Sequence, residues 1–281
     1  VWPVEDFFVA KRDEQLARHR HYDHVDYKLE PNIKTSPGGL RDIQTTLWVC
    51  SRRYGTTNID QLVTLGVLST TEARWLKDGR RFLWWVRYGL HSLAGRKEDQ
   101  LHFARQRELS QRLGFMDTES KSAVELFMQH YYRHVMALSD VNDIVLQHFQ
   151  EDMTAKKRSS FERLNDRFRL INRRIDITEP DVFLRNPSAM LEMFFLMAQR
   201  EENIRVRVRT IRALREAVHL IDDDFRCDPE NCRLFLSILK SPYTVVTQLT
   251  LMRRYGVLGR YLPAFGDIVG QMQHDLFHIY T

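Results

Sequence analysis

Apolar residues recur along most of the chain at spacings of three and four, the period of a helix with one buried face. Between residues 71 and 94, Trp75, Leu76, Leu83, Val86, Leu90 and Leu93 keep that period. Ser69 and Glu72 just before it have the form of a capping box, in which each side chain bonds the other residue's backbone amide. A second long helix is predicted from about Glu119 to Phe149, on Val124, Phe127, Met128, Tyr131, Val135, Leu138, Ile144, Val145 and Phe149. The two are suited to pack as an antiparallel pair. Trp84, Trp85, Tyr88, Tyr131 and Tyr132 within them read as core, not as a base-stacking platform, because aromatic stripes at helical spacing usually face inward. Asn186-Pro187, Asp228-Pro229 and Ser241-Pro242 each set a capping side chain before a proline and predict three further helix starts.

Alternation with period two is confined to Val25 to Lys34 and Phe168 to Ile177, and neither segment makes a sheet alone. The basic run Lys156-Lys157-Arg158, followed by Ser159-Ser160, reads as a solvated linker between helical parts. No internal repeat is visible. The expected fold is therefore mainly α, a helical bundle with a small N-terminal strand-containing part. Its divisions are expected at 1–55, 56–155 and 156–281.

Composition changes this picture little. The 42 Lys and Arg against 37 Asp and Glu leave a formal charge of +5, too small and too evenly mixed to indicate a nucleic-acid partner. Charged residues interrupt every apolar stretch short of the ~18 residues that span a bilayer, so no membrane segment is expected. Cys50, Cys227 and Cys232 form no C-x-x-C, which favours reduced thiols in a cytoplasmic protein and argues against a zinc or disulfide framework. A first residue of Val, not Met, suggests a section of a longer protein.

Chemistry concentrates in Leu29 to Ile43, LEPNIKTSPGGLRDI. Pro37-Gly38-Gly39 predicts a turn in which glycine takes positive φ and lets backbone amides approach a ligand. Helix formers begin at Leu40, so the turn feeds a helix N-terminus, and Lys34 and Arg41 add donors suited to phosphate. A second reading stands beside this one: the glycines serve geometry only, and Lys34, Arg41 and Asp42 form structural ion pairs. The segment is neither a Walker loop nor G-x-G-x-x-G, and the residues alone do not choose. Elsewhere, Asp222-Asp223-Asp224 ends the helical pattern of Thr210 to Leu220 and reads as a solvated helix end or loop. The Arg-rich stretch Arg205 to Arg215 is a candidate docking face or a solvated helix face.

The run LEPNIKTSPGGLRDIQTTLWV closely resembles the segment that follows the nucleotidyltransferase core in bifunctional PII-protein uridylyltransferase/uridylyl-removing enzymes, the bacterial nitrogen sensors. WPVEDFFVAKRDEQLARH, RNPSAMLEMFFLMA, LFLSILKSP and YGVLGRYLPAFGDIVGQMQHDLFHIYT look like the same family, so the resemblance spans nearly the whole chain. Glutamine synthetase adenylyltransferases have a comparable N-I-K-x-G-x-G-G-I-R-E-I-E segment, but Leu40, Asp42 and Gln44 match the uridylyltransferase form. An adenylyltransferase-like segment remains an alternative, as does a non-catalytic helical docking module for the PII protein.

The resemblance implies a polymerase-β-like nucleotidyltransferase domain, which residues 1–55 would complete. It implies transfer of UMP from UTP to a tyrosine of the PII signal protein, and removal of UMP when glutamine is abundant. Such transfer needs Mg²⁺ held by carboxylates. The G-S turn and D-x-D pair that supply most of these ligands in the superfamily are not found here, so no metal ligand is assigned and the fragment alone is expected to be inactive. Asp42 is carried over as the acidic position of the G-G-[IL]-R-[DE] motif, with Glu30 as a weaker candidate for the same role. Lys34, Gly38, Gly39 and Arg41 are carried over as nucleotide-binding. His274-Asp275 matches the dipeptide of the metal-dependent hydrolase domain but lacks that domain's further ligands, so the tail looks like the approach to it.

Overall fold

The computed structural model describes residues 2–22, 29–154 and 160–271. The chain divides into two units, Val1–Met153 with Gly270–Thr281, and Thr154–Val269. The first is helical, with α1 (Val4–Arg20), α2 (Leu40–Tyr54), α3 (Ile59–Thr64), α4 (Thr70–Ala94), α5 (Phe103–Arg112) and α6 (Ala123–Thr154). Both halves of the predicted capping box form: the Glu72 amide donates to Ser69 Oγ at 3.2 Å, and the Ser69 amide donates to Glu72 Oε2 at 2.8 Å. This satisfies two amides that the first turn of α4 leaves open.

α4 buries Leu76, Leu83, Val86 and Leu90 completely, as its period requires. Each such side chain contributes about 1.5–3 kcal/mol by leaving water. Gly79 admits the partner helix, because a Cβ there would lie 2.7 Å from Leu138 Cγ of α6. Three residues further along α4, Phe82 packs on His134 and His130, four and eight residues back from Leu138. Residue numbers thus rise along α4 as they fall along α6, the antiparallel sense that the two amphipathic patterns suggest. The aromatic residues divide. Tyr131 and Tyr132 are core, but Trp84, Trp85 and Tyr88 are exposed, contrary to expectation. The stripe through 76, 83, 86 and 90 leaves 84, 85 and 88 on the other side of α4.

The second unit holds a four-stranded sheet, β1 (Phe161–Arg163), β2 (Phe168–Ile171), β3 (Arg174–Ile177) and β4 (Arg205–Val206), in the order β1-β2-β3-β4. The first two pairings are antiparallel and the last is parallel. Phe168 to Ile177, which alternates like a single strand, is a hairpin that breaks at Asn172 and Arg173, with φ of 51° and 59°. Two central residues at positive φ are the mark of a type I′ turn. The expected strand Val25 to Lys34 lies outside the described residues over 23–28. Residues 29–34 form a turn with one isolated bridge, Asn32 to Gln100. The sheet therefore belongs to residues 161–206, while the mainly α character holds.

The unit's helices are α7 (Val182–Arg185), α8 (Ala189–Ala198), α9 (Val208–Ala217), which packs on β3, α10 (Asp223–Cys227), α11 (Pro229–Leu239), α12 (Val245–Arg254), α13 (Val257–Tyr261) and α14 (Pro263–Ile268). Of the three Pro-marked starts, one is as predicted: Asp228 caps α11, accepting from the Glu230 amide at 2.7 Å and the Asn231 amide at 3.3 Å. The other two differ. Asn186 ends α7, while α8 begins at Ala189. Ser241 is buried and its hydroxyl donates to the Ala198 carbonyl at the end of α8, so α12 starts later, at Val245. Asp222 caps α10 by accepting from the Phe225 amide at 2.9 Å, so the exposed acidic triplet opens a helix and does not close the one before it. The Lys156-Lys157-Arg158 run and His274-Asp275 lie outside the described residues.

Arg173 is the less suited of the two turn residues, since an L side chain with a Cβ resists the left-handed region and Asn tolerates it better. Its ion pair with Glu202, 2.8 Å, is exposed on both sides and worth little. Arg173→Gly should therefore stabilise the protein by about 0.5 kcal/mol, the relief of the backbone exceeding the entropy that glycine adds to the unfolded chain. A urea or thermal melt reads this as a raised midpoint.

Candidate functional site

The turn at Asn32 to Asp42 is built from local hydrogen bonds. Asn32 Oδ1 accepts from the amides of Lys34 and Thr35 at 3.1 and 3.0 Å, an Asx turn. The Asn32 amide donates to Ser36 Oγ at 2.9 Å, and the Ser36 amide returns to the Asn32 carbonyl at 3.1 Å. This knot delivers Pro37-Gly38-Gly39 to the start of α2. Gly38 has φ +71°, and a Cβ on it would stand 2.2 Å from the Val135 carbonyl oxygen of α6. Gly39 is equally enclosed, with Ile33 and Ser36 carbonyl oxygens 2.8 Å from where a Cβ would sit. Both glycines are required by packing.

The amides of the turn are committed. Gly38 donates to Asp42 Oδ2 at 2.7 Å, Gly39 to the Ser36 carbonyl at 2.9 Å, Leu40 to the Ile33 carbonyl at 3.1 Å and Arg41 to the Lys34 carbonyl at 2.8 Å. The expectation that these amides cradle an anion is not met, because protein acceptors already hold them. The glycines serve geometry, as the second reading has it.

Asp42 is the centre of this arrangement, 1% exposed. Besides the Gly38 amide it receives Arg18 Nη2 on Oδ1, while His19 Nε2 lies 3.1 and 3.0 Å from its two oxygens. Its pairing partners thus come from α1 and not from Arg41. The Asp42 carbonyl accepts Asn142 Nδ2 from α6 at 3.2 Å, and the same nitrogen is 2.8 Å from Thr46 Oγ1 of α2. Gln15 Nε2 of α1 closes the network on Asn142 Oδ1 at 2.5 Å. Gln15, Arg18, His19 and Asn142 escape sequence reading. Asn142 had a signal, a polar residue between Val141 and Val145 in an otherwise apolar stripe, but its partners lie far off in sequence.

Glu30 stands apart from Asp42 in role. It accepts the Phe103 amide at 2.7 Å and lies 3.2 Å from His102 Nδ1, closing the open first turn of α5. The Mg²⁺ that the resemblance implies finds no fitting ligands here. Asp42 is already held by the Arg18 guanidinium, the His19 ring and an amide, Glu30 is spent on α5, and the described residues contain no cluster of three His, Cys, Asp or Glu able to hold an ion.

Lys34 and Arg41 remain, half-buried and joined by the bond from the Arg41 amide to the Lys34 carbonyl. Neither makes a direct ion pair with a carboxylate among the described residues. The Arg41 guanidinium lies 5.5 Å from the ring centre of Trp48, and Lys11 Nζ of α1 lies 4.9 Å from the same ring. The hydrogen bond from Lys11 holds the Glu14 carboxyl below its ordinary range against the opposing effect of burial, and the charges of Arg18 and Arg41 add to the lowering. A groove of about 530 Å³ lies alongside, lined by Trp2, Phe7, Ala10, Lys11, Glu14 and Arg52. The face of α1 and α2 is thus cationic with an exposed aromatic, a surface suited to an anion that carries a ring.

In the second unit the Arg-rich stretch turns inward. Asp176 of β3, fully buried, accepts Arg209 Nε and Nη2 at 2.5 and 2.7 Å and Arg169 Nε at 3.2 Å, with Arg207 at 3.6 Å. Arg215 donates to the Arg254 carbonyl at 3.4 Å. Much of the charge expected of a docking face is used within the fold.

Fold and turn together define a mainly helical scaffold whose N-terminal end presents a cation-flanked Pro-Gly-Gly turn. The model of GlnD PII-uridylyltransferase matches residues 6–146, and that of the uridylyltransferase GlnD third domain matches 168–261. The chain belongs to the GlnD PII-uridylyltransferase family. It is 52% identical to a bifunctional uridylyltransferase/uridylyl-removing enzyme of Pseudomonas aeruginosa, 54% to that of Pseudomonas putida and 50% to that of Pseudomonas savastanoi pv. phaseolicola. In each case all of this chain is covered and 31% of the relative, so the chain spans about a third of the length of these proteins. No solved structure matches it. Among the described residues no helix is long and apolar enough to cross a membrane.

Two substitutions test the turn. Asp42→Asn should destabilise the first unit by about 3 kcal/mol, since it leaves Arg18 buried against a neutral group. Gly38→Ala should cost at least as much, because both the positive φ and the Val135 carbonyl oppose a Cβ. Chemical denaturation of each variant against the parent measures both, and an unchanged midpoint would refute the buried Asp42 network and the close approach of α6 to Gly38.

Proposed function

We propose that this chain is the section of a bifunctional uridylyltransferase/uridylyl-removing enzyme in which the first unit flanks the UTP site and the second leads toward the uridylyl-removing part. In this reading the whole enzyme, a cytoplasmic one, transfers UMP from UTP to a tyrosine of the PII signal protein and removes it when glutamine is abundant. The observation that supports the nucleotide-side role is the bond from the Arg41 amide to the Lys34 carbonyl, which joins two cations that make no direct ion pair with a carboxylate among the described residues. Arg and Lys so placed suit a triphosphate, one as a fork and the other as a point charge. Asp42 is a positioning residue that acts through the turn, and the Mg²⁺ of such transfer draws on carboxylates other than Asp42 and Glu30.

The test uses the full-length enzyme. Loss of a charged hydrogen bond costs about 1.5–3 kcal/mol, so Lys34→Ala and Arg41→Ala should each lower kcat/KM for UTP by roughly tenfold or more and leave uridylyl removal unchanged. Lys77→Ala, which removes only an exposed pair with Asp60, is the control and should change neither activity. Wild-type uridylylation by both the Lys34 and Arg41 variants would reject the assignment.

A further inference from the structure

A second cluster of titratable groups lies on α6 outside the Asp42 network. His130 and His134 stand one helical turn apart, and their Nε2 atoms face each other at 3.0 Å. The rings are held from outside: Phe82 of α4 stacks on His134, with centroids 4.6 Å apart and planes at 22°, and meets His130 edge-on at 4.9 Å. Phe115 lies 6.0 Å from His130 on another side. His130 is exposed and His134 is half-buried, so the point between the two nitrogens can be reached from solvent.

From this geometry we propose that His130 and His134 chelate a divalent transition-metal cation of the nitrogen-preferring class, such as Zn²⁺. Two His at i and i+4 on a helix can reach one ion. With metal–nitrogen bonds of about 2.0–2.1 Å, nitrogens 3.0 Å apart close on an ion at an angle of about 95°, and a further separation of about 0.3 Å brings this to the tetrahedral value. The protonation state suits ligation. Burial lowers His134 to about 4, with His130 adding to the effect and Asp78 opposing it, and burial lowers His130 with Arg133 adding. Both rings are thus neutral at neutral pH. One Nε2–H then bridges the pair, and moving that proton to Nδ1 of the same ring frees two lone pairs aimed at one point, with no net proton released.

The ligand type excludes Mg²⁺ and Ca²⁺, which take oxygen. No Glu follows His130, the next residue being Tyr131, so the site lacks the general base of a zinc hydrolase helix and binds without hydrolysing. Water fills the remaining positions. Asp78, the carboxylate whose charge reaches His134, is paired with Arg81 at 3.2 Å.

Zn²⁺ is titrated calorimetrically into the intact chain, into His130→Asn and His134→Asn, and into the double variant His274→Asn/His278→Asn, which removes the other His pair at the same spacing. The expected result is a site whose affinity falls at least tenfold in either α6 variant and is unchanged in the control, together with a Zn²⁺-dependent rise in Tm lost in the same two variants. Parental affinity in folded His130→Asn and His134→Asn would overturn the proposal, as would loss in the control alone. If either α6 variant fails to fold, ring resonances of the unaltered chain decide. Zn²⁺-induced shifts at His130 and His134 support the site, and shifts confined to other histidines refute it.

Discussion

The carboxylate of Asp42 is the constraint on which the first unit depends. Removed from water, it needs hydrogen-bonding partners, and α1 supplies them through the Arg18 guanidinium and the His19 ring while the turn supplies the Gly38 amide. Its own backbone then fastens α6 through Asn142. Three segments far apart in sequence, α1, the turn leading into α2, and α6, are thereby required to meet at one residue. A buried ion pair of this kind is weak as a source of net stability, but it penalises arrangements that leave the charge unpaired. It fixes where the turn stands and so where Lys34 and Arg41 emerge.

The second unit uses the same device. Asp176 is enclosed by Arg169, Arg207 and Arg209, with Thr210 Oγ1 3.2 Å from its Oδ1 and 3.2 Å from the Ile177 amide, which joins β3 to α9. This explains why a small positive net charge says so little about partners. In both units cationic side chains near the sequence motifs of interest are spent on internal carboxylates, and only those left over can face a ligand.

What was legible in the sequence follows the range of the interaction that determines it. The capping box at Ser69, the cap at Asp228 and the burial stripes of α4 and α6 are set within one or two helical turns, and they are where the pattern puts them. Ser241 misleads because its hydroxyl finds the Ala198 carbonyl, 43 residues away, in place of the free amides after Pro242. Trp84, Trp85 and Tyr88 mislead because their size and apolarity suggest burial, while their angle around α4 sets them opposite the stripe of Leu76, Leu83, Val86 and Leu90. At the site, the turn and its glycines were legible, but the roles within it were not. Whether Asp42 faces a metal or an arginine depends on α1, and the resemblance carries over a residue type without carrying over its partners.

Amide occupancy separates the two readings of the turn better than residue type does. Glycine, proline and flanking cations describe an anion-binding loop and a tightly packed connection equally well, since both need close backbone approach. In an anion site the amides of the first helical turn point at the ligand and lack protein acceptors. Here Ile33, Lys34 and Ser36 carbonyls and the Asp42 carboxylate have taken them. Any phosphate contact by this segment must therefore come from the side chains of Lys34 and Arg41, set by a turn in which Gly38 admits α6 and Gly39 lets the turn close on its own carbonyls. The proposed nucleotide-side role thus rests on the side chains of two residues beside the motif, and the motif itself is the joint that holds them.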